Sequence, residues 1–213
     1  PGIRGKIRWR LEGRAPGGVA WGYGQAVVGH NRRAHYAGGV SKMYGQTAVP
    51  DFECIEGYED HGVDLLYTWD CGSGHRPRLT GVLVNIACPS QETEGANYVS
   101  ADFWHEVREE LHQRHGEDFF VLPQCAAAGD QSPHLLLNKP AEALMRQRRG
   151  LTERQEIARR IANAVDDVLP LAAGDVHVDP PFAHTVATLE LPVRRVTRAQ
   201  YDALVANSIG KAA

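Results

Sequence analysis

The run LTGVLVNIACP (residues 79–89) decides the fold class. It is almost continuously apolar and rich in β-branched residues, the composition of a strand buried on both faces. EDFFVLPQCAA (117–127) reads as a second buried strand, and HGVDLLYTWD (61–70) as a third. Between the first two lies a helical pattern. Ser100 can cap a helix running to about His115, with Phe103, Val107 and Leu111 forming an apolar stripe at spacing four. Thr152 and Gln155 form a T-x-x-Q capping box that opens ERQEIARRIANAVDDVL, where Ile157, Ile161, Val165 and Val168 are in phase. HTVATLELPVRRV (184–196) alternates like a strand, and a second capping box, Thr197 and Gln200, precedes the helical YDALVANSI. Residues 13–50 are rich in glycine, tyrosine and tryptophan, a composition for short strands and tight turns over a site. Strands alternating with helices predict an α/β fold, a mixed β-sheet core flanked by helices. It is a single domain or part of a larger one, with no marked boundary.

Composition narrows the function. The chain has 213 residues, 43% of them hydrophobic, enough for a real core. A net charge of −3 with well-mixed signs leaves no nucleic-acid footprint. The basic cluster MRQRRGLTERQEIARR is interrupted by acids and lacks aromatics, so it reads as a solvated helix and its lead-in. No apolar run approaches the ~20 residues of a bilayer span. The four cysteines, Cys54, Cys71, Cys88 and Cys125, form no C-x-x-C pair, which argues against a zinc ribbon or thioredoxin motif. Two disulfides and four free thiols are both compatible with the sequence. A start at Pro1 and a stop within a helical pattern lead us to expect a piece of a longer protein.

VLVNIACPS and FFVLPQCAAAGDQS both end in residues capable of chemistry, Cys88 and Ser132. Ligands of open α/β sheets gather at the carboxyl ends of strands. We therefore expect Ser132 and Cys88 in one pocket, at the ends of neighbouring strands. The competing reading is that Gly129-Asp130-Gln131-Ser132-Pro133 is only a turn. His112 and His115, one helical turn apart, sit among Glu and Arg and read as solvated surface.

Three stretches in order resemble the neutral/alkaline, non-lysosomal ceramidase family over residues ~19–137, and the remainder more weakly. GDQSP (129–133) resembles its nucleophile motif G-[DN]-x-S-P-[NH]. HNRRA (30–34) resembles its N-R-[SR] segment, and VNIACPSQETEGANYVSAD (84–102) its F-x-x-H-P strand-loop segment leading to a serine-aspartate pair. The resemblance implies part of the N-terminal catalytic domain of a divergent zinc amidase that cleaves the N-acyl bond of a ceramide-like lipid. It makes Ser132 the catalytic serine and Asp130 the residue that shapes its turn. Asn31, Arg32 and His134 become substrate-binding residues. The family holds zinc with two histidines, a glutamate and a tyrosine. Cys88 falls on one of those histidines; a thiolate is itself a zinc ligand, or it marks a branch that lost the metal. The other ligands belong to stretches without a counterpart here, so the resemblance implies an incomplete zinc site and a fragment inactive alone. It also implies a lipid-like substrate, allows peripheral membrane contact and fits a secreted or periplasmic protein. The alternative is a non-catalytic lipid- or carbohydrate-binding relative, with the aromatic, glycine-rich segment 19–45 as its ligand surface.

Overall fold

The structure, a computed structural model, describes residues 14–72 and 76–209, with side chains to residue 206. Residue 13 of the glycine-rich stretch and the last four residues of the chain lie outside that range. The described residues fall into two compact units that divide at Pro180/Pro181, a boundary the sequence reading did not mark.

The first unit carries the α/β fold. Its main sheet has the order β1 (Gly17–Gln25), β6 (Gly62–Asp70), β7 (Arg78–Ile86), β8 (Phe120–Cys125). The first three strands run antiparallel; β7 and β8 are parallel neighbours, joined through helix α1 (Phe103–His115). Helix α3 (Glu153–Ala172) packs on α1 and across β1 and β6. A short helix, α2 (Lys139–Arg149), precedes α3. Val63, Leu65, Tyr67, Val82, Val84 and Ile86 point from the sheet into a core shared with Phe103, Val107, Leu111, Ile157, Ile161 and Val165. The Tyr67 hydroxyl donates to the Val165 carbonyl at 2.6 Å, which ties sheet to helix. A second, three-stranded sheet places β3 (Arg33–Tyr36) between β4 (Val40–Met43) and β5 (Phe52–Ile55). A two-residue pair joins β2 (His30–Asn31) to β9 (Gln131–Ser132).

Three expectations change. The apolar runs are not buried on both faces: α1 and α3 cover one face, and the other leaves Trp21, Tyr23, Phe120 and Leu122 exposed. A continuous apolar run records both faces of a strand but not how many are covered. Ser100 is not the N-cap of α1. Asp102 takes that place, accepting from Phe103 N at 2.8 Å, while the Ser100 hydroxyl accepts from Asp102 N at 2.9 Å. Residues 184–196 form no strand. Alternation supplies one apolar face, but a strand also needs an edge to pair with, and Pro192 withdraws a donor. Within the second unit the Thr197–Gln200 capping box forms as expected and opens helix α4 (Arg198–Ile209). The Thr152–Gln155 box opens α3 in the same way.

The glycine alternation of β1 has a packing reason. Gly22 and Gly24 face α3, and a Cβ on Gly22 would stand 2.4 Å from Val168 Cγ1. Valine is stiff at χ1 in a helix, so it cannot swing aside. Gly22→Ala is expected to destabilise the unit by about 1–2 kcal/mol through overpacking. Adding Val168→Ala should recover part of the loss, and thermal melting of the single and double variants checks both outcomes.

Candidate functional site

The β2–β9 pair builds the site. Segment 28–30 lies against the end of β7 because Gly29 has no side chain; a Cβ there would sit 2.5 Å from the Ala87 carbonyl oxygen. The pairing sets His30 opposite Ser132 and Asn31 opposite Gln131. Arg32 N donates to Asp130 O at 2.9 Å, and the Asn31 side chain donates to Asp130 Oδ2 at 2.8 Å. The Arg32 guanidinium donates to Gly129 O at 2.9 Å and approaches the Tyr44 hydroxyl at 3.5 Å. Its Nε is buried without a hydrogen-bond partner among the described residues. HNRRA and GDQSP, nearly a hundred residues apart, are thus one local structure.

Ser132 is wholly buried. Its Oγ accepts from the Tyr44 hydroxyl at 3.2 Å and from His134 N at 3.1 Å. Tyr44 and His134 in turn line an open cleft of about 430 Å³ with Glu94, Lys139, Arg146 and Glu153. Ser132 therefore lies one hydrogen bond behind the cleft wall. Cys88 does not line that cleft either, so the two residues do not share it, although β7 and β8 are neighbours as expected.

The 91–102 loop closes around His134. Asp102 holds the loop by accepting from Glu92 N at 3.1 Å and from Thr93 N and Oγ1, each at 2.8 Å. His134 Nε2 meets the Gln91 carbonyl at 2.9 Å, and its ring nitrogens lie 3.5 Å from Glu92 and 3.5 Å from Glu94. Glu92 Oε2 is buried without a hydrogen bond among the described residues. Burial, with the like charge of Glu153 behind it, pushes the Glu92 carboxyl up to about 7, against the opposing pull of His134. Sequence reading missed Glu92 and Tyr44; a carboxyl titrating near neutrality beside a cleft is a functional signature.

The raised pKa has a stability consequence. The folded state holds the Glu92 proton more tightly than the unfolded state, so stability falls as pH rises from about 4.5 to about 7. Glu92→Gln should therefore stabilise the protein above pH 7, by about 1–2 kcal/mol after discounting for partial solvation. It should change little at pH 4. Melting curves at the two pH values check the sign.

Two places invite a metal. Cys88 is buried; its thiol donates to the Val28 carbonyl at 3.4 Å, and burial holds it protonated far above the usual thiol range. Among the described residues it belongs to no group of three ligand-capable side chains. Within the described residues Cys88 therefore stands without a three-ligand group around it. The second place was not foreseen. His30, Glu59 and His61 bring three donor atoms within 4.8 Å of one another. His112 and His115 are not solvated surface as the pattern suggested: both are partly buried, His112 bonded to the Phe119 carbonyl and His115 to Asp166.

In comparison with known proteins, the crystal structure of neutral ceramidase from Pseudomonas aeruginosa matches 78% of this chain, with a TM-score of 0.50 at 19% identity. The fold is ceramidase-like. A ceramidase complexed with C2 matches 77% of the chain at 18% identity, with a TM-score of 0.48. The chain spans 25% of the length of the first ceramidase and 24% of the second. No family model and no curated protein sequence matches it. Among the described residues, no helix is long and apolar enough to cross a membrane.

Proposed function

We propose that this chain is part of the catalytic domain of a ceramidase-like amide hydrolase, which cleaves the N-acyl bond of a ceramide-like lipid. The observation that carries the reading is the setting of Ser132. A buried hydroxyl is wired to Tyr44, and Tyr44 to an arginine whose Nε has no partner among the described residues. In this reading the Tyr44 hydroxyl holds Ser132 Oγ in place while that oxygen attacks the amide carbonyl carbon; the serine proton passes to the amide nitrogen as the C–N bond breaks, so the amine leaves neutral and an acyl ester remains. Water then adds to the ester carbonyl, the acid leaves and a water proton returns to the serine oxygen. Arg32 presents a planar fork to the substrate carbonyl oxygen. Asp130, tied to Asn31, fixes the turn, and His134 places its N–H on Ser132. The ceramidase resemblance also implies zinc; among the described residues Cys88 belongs to no three-ligand group, and no step above uses the metal.

A specific observation favours a second reading, a lipid-binding relative without catalysis: Ser132 is closed off in this structure, and no His, Asp or Glu side chain bonds its oxygen among the described residues. Incubation of the intact protein with a short-acyl ceramide separates the two. The hydrolase releases fatty acid and amine; the binder retains the lipid and releases neither. For the hydrolase, Arg32→Ala should lower kcat/KM by roughly 10–100-fold, and Arg32→Lys should restore little, because a point charge cannot replace the fork.

A further inference from the structure

We propose that His30, Glu59 and His61 form a zinc site. The inference goes beyond the hydrolase reading and does not depend on it. His30 Nδ1 lies 3.1 Å from Glu59 Oε2, and His61 Nε2 lies 3.2 Å from the same oxygen. Zinc with tetrahedral bonds of about 2.0–2.1 Å separates neighbouring ligand atoms by about 3.3–3.4 Å. Both separations from Glu59 thus come close to an edge of a zinc tetrahedron, and the three donor atoms lie within 4.8 Å of one another. Two imidazoles and a carboxylate are also a donor set that zinc favours, and either imidazole nitrogen serves.

The surroundings orient these ligands. Glu59 Oε1 accepts from Asn31 N at 3.3 Å, which leaves Oε2 for the metal. His30 is held in the β2–β9 pair. The His61 carbonyl accepts from Ala26 N at 2.9 Å, which fixes the 59–61 segment against the entry to β6. Such outer bonds raise the affinity of a metal site by limiting how its ligands move. The site is open on one side: the His30 side chain is 9% exposed, whereas those of Glu59 and His61 are each 32% exposed. Three protein ligands with an open position for water is the arrangement of zinc centres that act on substrates, whereas structural zinc is closed by four. His30 and Ser132 are directly opposite in an antiparallel pair, so their side chains leave the same face with Cβ atoms about 4.5–5.5 Å apart. The zinc would stand beside the candidate nucleophile, on residues other than Cys88.

The intact protein, stripped with a chelator, is titrated with zinc against a chromophoric competitor, and separately with cobalt(II). The expected result is one tightly bound zinc per chain and the visible absorption bands of tetrahedral cobalt. Glu59→Gln and His61→Gln should each weaken zinc binding on the order of 100-fold, while their melting temperatures in chelator stay parental. Cys88→Ser should leave zinc affinity unchanged. Absence of saturable zinc binding by the parent overturns the proposal. So does zinc binding that survives both ligand variants, or binding that disappears in Cys88→Ser. A protein that binds zinc here yet releases no fatty acid from ceramide retains this site and loses the hydrolase reading; hydrolysis without zinc binding does the reverse.

Discussion

On the hydrolase reading, Ser132→Ala is expected to abolish ceramide hydrolysis, lowering kcat by roughly 10³-fold or more, the scale seen when a serine nucleophile is removed. The variant should still fold. Alanine fills the same buried space but leaves the Tyr44 hydroxyl and His134 N–H without their acceptor. Two orphaned donors cost about 1–3 kcal/mol each when no water reaches them. Stability must therefore be measured with activity, and kcat expressed per folded molecule. A serine that only completes the turn would show the same loss of stability with kcat within about tenfold of the parent. That outcome would end the nucleophile assignment and leave the fold likeness untouched. Ser132→Thr separates the roles further. It keeps an acceptor for both donors, but its extra methyl enters a site with no exposed surface, so it should perturb kcat more than stability.

The candidate site was legible in the sequence, as a cluster, where its signals were local. GDQSP and HNRRA are contiguous motifs, and the structure brings Asn31, Arg32, Asp130, Ser132 and His134 into one bonded cluster. Tyr44 lies 88 positions from Ser132, and Glu59 lies 29 from His30, so no spacing rule could pair them. Glu92 was hidden for another reason. Its pKa depends on how deeply the 91–102 loop is drawn in by Asp102, a consequence of tertiary folding. The fold divides in the same way. Helices α1 and α3 and both capping boxes were readable because helical bonds close within four residues. The uncovered sheet face and the missing 184–196 strand depend on what packs or pairs with them, which periodicity does not encode.

Glu156→Gln is expected to destabilise the first unit by about 2 kcal/mol at pH 7, with the loss fading as pH falls toward 2. Glu156 is the buried charge of α3: its side chain is 4% exposed and its carboxylate accepts from Arg149, Arg159 and Arg160 at 2.7–2.9 Å. Arg160 extends the network to Glu142 of α2 at 2.7 Å and to the Val27 carbonyl at 2.8 Å, so one carboxylate joins two helices and the strand-end segment before β2. The hydrogen bond from Arg159 is the main cause that holds the Glu156 carboxyl down at about 2; burial opposes it, and Arg160 adds to it. The unfolded chain takes up this proton near 4.5, the folded chain only near 2, so the stabilising contribution is complete above pH 4.5 and is lost as pH falls to 2. The shift converts to about 3 kcal/mol at full strength, and solvent around the three arginines reduces it. Glutamine keeps the volume and one acceptor, so the difference reports charge and not packing. Urea unfolding of both proteins at pH 7 and pH 3 checks the sign. A gap of the same size at both values, or a larger one at pH 3, would show that the charge of Glu156 does not carry the stabilisation.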